Sequence, residues 1–334
     1  MTAKASVLDA ALEATVVGSF SRLGLDARRR LLPEFAEDPQ SARPGQLAVI
    51  TGATSGLGLA TATALAGRGF SVHFLARSAQ KARQAQDRIG AAATAGAEVS
   101  FDIADVEDLD SVRVFARDTL NRYDRVDVLI HNAGAIHGQY ETGSSGAELT
   151  VTGHVLAPFL LTHLALPALT AAAPSRVITV SSGGMYAQRL DLASLIRPAA
   201  DYRGAAVYAR AKRAQVILNR EWARRFGGSG IAFHAMHPGW ADTPGMVVSL
   251  PRFYQLMKPI LRSPEEGADT IVWLATAPAV ELGTGKFWHD RRPRTEYLLP
   301  WTREAAGVGR QLWDWAAAQT GSPTTGQSTL SAPR

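Results

Sequence analysis

Leu47-Ala48-Val49-Ile50-Thr51-Gly52-Ala53-Thr54-Ser55-Gly56-Leu57-Gly58-Leu59-Ala60-Thr61-Ala62-Thr63-Ala64-Leu65-Ala66 reads as an apolar strand, a glycine-rich turn and a small-residue helix, stopped by Gly67-Arg68-Gly69. Gly52 allows a tight exit from the strand. Gly56 leaves no Cβ where a pyrophosphate would approach the backbone, and Gly58 lets the helix pack closely on the sheet. The first turn of that helix offers free N–H groups and the positive end of its dipole to an anion, and Thr54, Ser55 and Leu57 lie in the same turn. Strand, turn and helix in this order point to a dinucleotide.

The alternation continues outward. Strands are predicted at residues 71–77, 98–103, 126–131, 176–180, 231–236 and 286–289. Helices are predicted at about 78–93, 106–122, 204–226 and 263–276, with a further one starting near residue 145. This pattern implies a single-domain α/β fold, a Rossmann-like doubly wound parallel sheet with helices on both faces, over residues 46–318. The second strand ends in Ala76-Arg77-Ser78, about 20 residues beyond the glycine turn, where an NAD-binding chain would carry a carboxylate. Arg77 and Ser78 suit a 2′-phosphate instead, so NADP(H) is the expected cofactor. Asp102 and Ile103, closing the third strand, and Asn132-Ala133-Gly134, closing the fourth, join the candidate cofactor set. Ser145 and Glu148 read as a capping box for a long helix that Pro158 should kink, freeing the carbonyl of residue 154. Tyr208 and Lys212 stand one turn apart on a later helix, which lets the ammonium approach the phenol.

The chain has 334 residues, 46% hydrophobic and 19% charged, enough for a large core, and a net charge of +5. It lacks cysteine, which excludes disulfides and thiolate metal sites, and a cytoplasmic protein is the simplest reading. Basic clusters lie far apart without interleaved aromatics, so nucleic-acid binding is not expected, and the histidines show no metal-ligand spacing. Residues 1–45 form an amphipathic extension and linker, expected to dock as a helix on its own domain or on a second subunit. A membrane-surface contact through it and homo-oligomerisation are the partner readings besides a small-molecule substrate. Because the glycine turn lies beyond the extension, cofactor binding is expected to survive removal of residues 1–40. Residues 319–334 have the composition of a disordered tail.

Taken together, these motifs resemble the short-chain dehydrogenase/reductase family over roughly residues 45–300, and the runs at residues 176–185, 207–213 and 236–245 resemble its member-twelve-like branch. The resemblance implies an oxidoreductase moving a hydride between NADP(H) and a carbonyl or secondary alcohol. It implies Ser182, Tyr208 and Lys212 as catalytic residues, with Lys212 lowering the phenol pKa and holding the nicotinamide ribose. Pro238, Gly239 and Thr243 match the family's motif after the sixth strand. The family's helix asparagine falls on His154, which is expected to steady a relay water and titrate near neutrality. Residues 245–260, with Met246, Val247, Leu250, Phe253 and Leu256, resemble a lid for an apolar substrate and suit a subunit interface equally well. The competing reading is a cofactor-binding scaffold or redox sensor without turnover.

Overall fold

The computed structural model describes residues 9–35, 43–196, 202–249, 251–278 and 282–324. The predicted tail lies outside these from residue 325 onward. Its first residues belong to the terminal helix, Val308–Thr320, and Trp313 Nε1 donates to the carbonyl of Thr324 at 3.1 Å.

Among the described residues, seven parallel strands and one antiparallel strand form a single sheet in the order β3-β2-β1-β4-β5-β6-β7-β8. They are β1 Leu47–Thr51, β2 Ser71–Ala76, β3 Val99–Ile103, β4 Val128–His131, β5 Ser175–Val180, β6 Ile231–Met236, β7 Lys286–His289 and β8 Arg292–Pro293. All five residues of β1 are buried, as expected for a parallel strand covered on both faces. Between β1 and β4 the strand order reverses direction, which opens a crevice at the carboxyl edge.

Two helical layers cover the sheet. One face carries α3 (Gly56–Ala66), α4 (Ala79–Ala92) and α10 (Pro264–Thr276), packed through Leu65, Ala82, Ile89 and Ile271. The other carries α5 (Leu109–Asp118), α6 (Leu149–Ala171), α7 (Gly204–Phe226) and α11 (Val308–Thr320), packed through Val112, Phe159, Trp222 and Trp313. Each large apolar side chain so buried contributes roughly 1.5–3 kcal/mol. Helix α6 is long and apolar enough to cross a membrane, with mean hydropathy 1.5, but 78% of that stretch is buried inside this fold, so it is a core helix. The expected capping box at Ser145 and Glu148 is absent. Glu148 is itself the N-cap, accepting from Val151 N at 2.9 Å, because the helix starts at Leu149.

Helices α1 (Val16–Phe20) and α2 (Arg22–Leu31) dock on the outer end of the sheet through buried charges. Arg28 is 1% exposed and binds Asp9 at 2.8 Å, Glu13 at 2.9 Å and Asp290 at 2.7 Å. Asp290 also binds Arg262 at 2.6 Å, while Asp9 binds Arg292 at 2.7 Å and Arg294 at 2.8 Å. The short strand β8, which has no readable sequence signal, follows a turn in which Asp290 and Arg291 adopt positive φ of 50° and 57°, and it presents these arginines. Leaving such charges without partners costs ~3–5 kcal/mol, so residues 9–31 are welded to the body. Survival of the fold after removal of residues 1–40 is therefore not what the packing predicts.

Helices α8 (Pro244–Ser249) and α9 (Pro251–Met257) occupy the predicted lid. Leu256 is 77% exposed there, and Phe253 packs edge-on to Trp240 with ring centroids 5.0 Å apart. Leu250 lies outside the described residues.

Candidate active site

Strand ends and helix starts bring the candidate residues together at the carboxyl edge. Gly52, at φ +74°, abuts the turn after β4, and a Cβ built there would lie 2.7 Å from Ala133 Cα. A Cβ on Gly58 would lie 2.2 Å from the Gly52 carbonyl and 2.4 Å from Asn132 Nδ2, so its role is close approach of α3 to both turns. Asn132 Nδ2 donates to the carbonyls of Thr51 (3.1 Å) and Gly52 (3.0 Å), and Thr51 Oγ1 accepts from the amides of Asn132 (3.1 Å) and Ala133 (3.0 Å). The two turns are thus locked as one unit. Helix α3 begins after Ser55 without a side-chain cap, which leaves its first amides for an anion in the crevice. Gly56 lies against Thr243, whose hydroxyl accepts from Met246 N at 3.4 Å.

At the adenine-ribose end the expected residues are spread. Ser78 caps α4 by accepting from Lys81 N at 3.4 Å. Arg77 is largely exposed and reaches Glu107 at 3.2 Å, and Glu107 also meets His137 Nε2 at 3.0 Å. The Asp102 carboxylate accepts from Thr119 Oγ1 at 2.5 Å and lies 3.3 Å from His73, while Ile103 is exposed.

Helix α7 carries the candidate reacting groups Tyr208 and Lys212. Ser181 Oγ donates to the Lys212 carbonyl at 2.9 Å and ties the end of β5 to that helix. Lys212 is buried, donates from Nζ to the Val180 carbonyl at 2.8 Å, and lies 5.5 Å from the centroid of the Tyr208 ring. Burial lowers the Lys212 pKa to about 7. Burial likewise raises the Tyr208 phenol, opposed by its hydrogen bond with Ser182. The lowered phenol pKa expected from Lys212 is therefore not found among the chain's own groups. The low dielectric that strengthens the pair also disfavours the ammonium itself. Ser182 Oγ additionally accepts from Gly184 N at 3.3 Å.

His154 lies edge-on to Tyr208, with ring centroids 5.2 Å apart, and its Nε2 bonds the Ala135 carbonyl at 3.0 Å. A Cβ on Gly134 would fall 1.7 Å from the imidazole, so this glycine makes the notch that the ring occupies. Burial first, then the Lys212 charge, pushes the His154 pKa well below its ordinary value. The imidazole therefore does not titrate near neutrality, contrary to what its residue type suggests. The backbone around it forms a π-turn over Thr152–Leu156, entered before Pro158, and the freed His154 carbonyl accepts from Gln215 Nε2 at 2.8 Å. A side-chain amide from the neighbouring helix thus meets the carbonyl that Pro158 frees. Gln215 was missed from sequence, although Tyr208, Lys212 and Gln215 share one stripe at spacings of four and three.

Gly239, at φ +74°, faces Arg262 Nε at 2.5 Å and the Phe20 carbonyl at 2.6 Å from an ideal Cβ, and Pro238 gives its carbonyl to Arg262 at 3.2 Å. These residues stand at the crevice but lean on the N-terminal segment, a contact invisible in sequence. Among the described residues, no cluster of His, Asp and Glu could hold a metal.

Residues 46–251 match the family model described as short chain dehydrogenase. Human Dehydrogenase/reductase SDR family member 12 is 36% identical over 256 residues, 76% of this chain and 80% of that protein. Mouse Retinol dehydrogenase 14 is 33% identical over 331 residues, 93% and 97% of the two chains. A Mycobacterium Paratuberculosis crystal structure matches with a TM-score of 0.65 at 29% identity, covering 84% of this chain and 95% of that one. A Beutenbergia cavernae structure with bound NADP matches at 0.62 and 26% identity, covering 76% and 97%.

Proposed function

This chain belongs to the short-chain dehydrogenase family, whose members carry out NAD(P)-dependent oxidoreduction, and from that premise we propose an NADP(H)-dependent enzyme acting on the carbonyl or secondary alcohol of an apolar small molecule. The observation that carries the reading is the Ser182, Tyr208 and Lys212 grouping at the carboxyl edge, beside the locked glycine turn. The uncapped start of α3 and the Cβ-free approaches at Gly52 and Gly58 fit a pyrophosphate. When bound, the nicotinamide supplies or accepts the hydride. In the reduction direction, the Tyr208 phenol, kept protonated by burial, donates its proton to the substrate oxygen, and Ser182 hydrogen-bonds that oxygen as negative charge develops on it. A Lys212 ammonium this close to the ring then stabilises the phenolate, by on the order of 3 kcal/mol for unit charges ~5 Å apart at an effective dielectric of ~20.

Preference for NADP(H) rests on Arg77 and Ser78, with no carboxylate at the end of β2. Arg77 leaves Glu107 to meet a 2′-phosphate. The apolar substrate rests on the exposed Val247 and Leu256 of α8 and α9, and on similarity to retinol dehydrogenases.

The test is NADPH consumption against a panel of ketones and aldehydes, weighted to long apolar chains and fused rings. Tyr208→Phe should lose ~10²–10⁴-fold in turnover while binding NADPH as the wild type does. Turnover in that variant within a few-fold of wild type would overturn the mechanism. In fluorescence titrations NADPH should bind more tightly than NADH and Arg77→Ala should narrow the gap; equal affinities in the wild type would overturn the preference.

A further inference from the structure

The N-terminal segment reaches the site at Phe20. Phe20 is buried, with its ring centroid 4.5 Å from that of His237, 5.9 Å from Trp240 and 6.2 Å from Tyr186. A Cβ built on Gly183, the residue after Ser182, would fall 2.5 Å from Phe20 Cε2. After the adjacent strand β6, an ideal Cβ on Gly239 would fall 2.6 Å from the Phe20 carbonyl, which also accepts from Trp240 N at 2.8 Å. The backbone on either side of Phe20 is clamped. The Ser19 carbonyl accepts from Arg28 (3.0 Å) and Arg262 (2.9 Å), and the Ser21 carbonyl from Arg262 (3.3 Å).

We infer that Phe20 is a positioning residue for the reaction: its ring sets the Ser182-Gly183 turn and its carbonyl sets the Pro238-Gly239 turn. Two turns that carry candidate reacting and cofactor-facing residues each give up a side chain where Phe20 presses on them, and buried arginines anchor Phe20 itself. A phenyl ring removed there leaves the serine turn free to relax toward the space, and misplacement of a reacting group by about 1 Å costs ~10²-fold in rate. The N-terminal segment is thus a working wall of the catalytic centre, and the inference rests on the oxidoreductase reading above.

The test compares Phe20→Ala and Phe20→Leu with wild type in the full chain, at a temperature where all three are folded by circular dichroism. Phe20→Ala should lower kcat for carbonyl reduction on the order of tenfold to a hundredfold. NADPH affinity should fall by much less than kcat, because the Pro238-Gly239 turn faces the cofactor while the glycine turn is built elsewhere, and Phe20→Leu should restore most of kcat. Hydrogen exchange read by mass spectrometry should rise in Phe20→Ala within residues 181–188 and 237–241 and stay unchanged within 51–58. An unchanged kcat in a folded Phe20→Ala, or a loss matched by an equal loss of NADPH affinity, overturns the inference. If the wild type reduces no carbonyl at all, the oxidoreductase reading has failed. Exchange then decides the brace alone: a rise confined to the two turns sustains it, and no rise or a uniform one overturns it.

Discussion

The imidazole of His154 shows how one side chain can be readable by position and unreadable by state. Counting along the helix places it where the family carries asparagine, and the residue type suggests a group that titrates near pH 6.5. Its environment is set by Gly134, 20 positions earlier, and by Lys212, 58 positions later, contacts that no local pattern encodes. With Nε2 donating to Ala135, the ring is a neutral, buried contact for Tyr208. The kcat–pH profile should accordingly have no limb from His154 between pH 5.5 and 7.5, and its imidazole resonances should not move in an NMR titration over that range. A resonance that titrates near 6.5 and disappears in His154→Asn would contradict this. Gly134→Ala should push the ring off the tyrosine and cost ~1–3 kcal/mol, read as a lower denaturant midpoint. By contrast, Tyr208 and Lys212 are readable from sequence because they sit on one face of one helix.

Helix α6 carries a similar lesson at the next scale. Pro158 announces a broken hydrogen-bond ladder, yet a kink and a π-turn satisfy the same sequence, and only the neighbouring helix decides between them. Here α7 presents Gln215, and the widened turn over Thr152–Leu156 lets its amide reach the freed carbonyl. Gln215→Leu should leave that buried carbonyl without its partner and cost ~1–3 kcal/mol, lowering the melting temperature by several degrees. An unchanged melting temperature would mean that another donor serves the carbonyl. The strong elements, such as β1 and the Ser263-capped α10 with its capping box through Glu266, form where local signals agree. The two-residue β8 has no such signal, being held by pairing with β7 and by ion pairs across the fold.

For the whole molecule, seven histidines, His73, His131, His154, His163, His234, His237 and His289, have pKa values lowered chiefly by burial, to about 3 for His131 and His234 and about 4 for His163. The unfolded chain protonates them near 6.5 while the folded chain does not, so stability falls as pH drops through that value, by up to ~1.4 kcal/mol per unit for each. Lys212, lowered to about 7, acts in the same sense above neutrality, with its penalty relieved between pH 7 and about 10.5. The urea midpoint should therefore climb from pH 5 to pH 9; a flat midpoint between 5 and 7 would show that these imidazoles are charged in the fold. The Arg28 network has a different consequence, for how the chain can be recombined. The family model spans residues 46–251, yet Arg28 and Asp290, both outside it, complete each other's charge across 262 positions of chain. A hybrid that joined a head without Arg28 to this body would leave Asp290 with Arg262 as its remaining arginine partner and remove a buried charge, so in any exchange of segments the two regions have to be moved together.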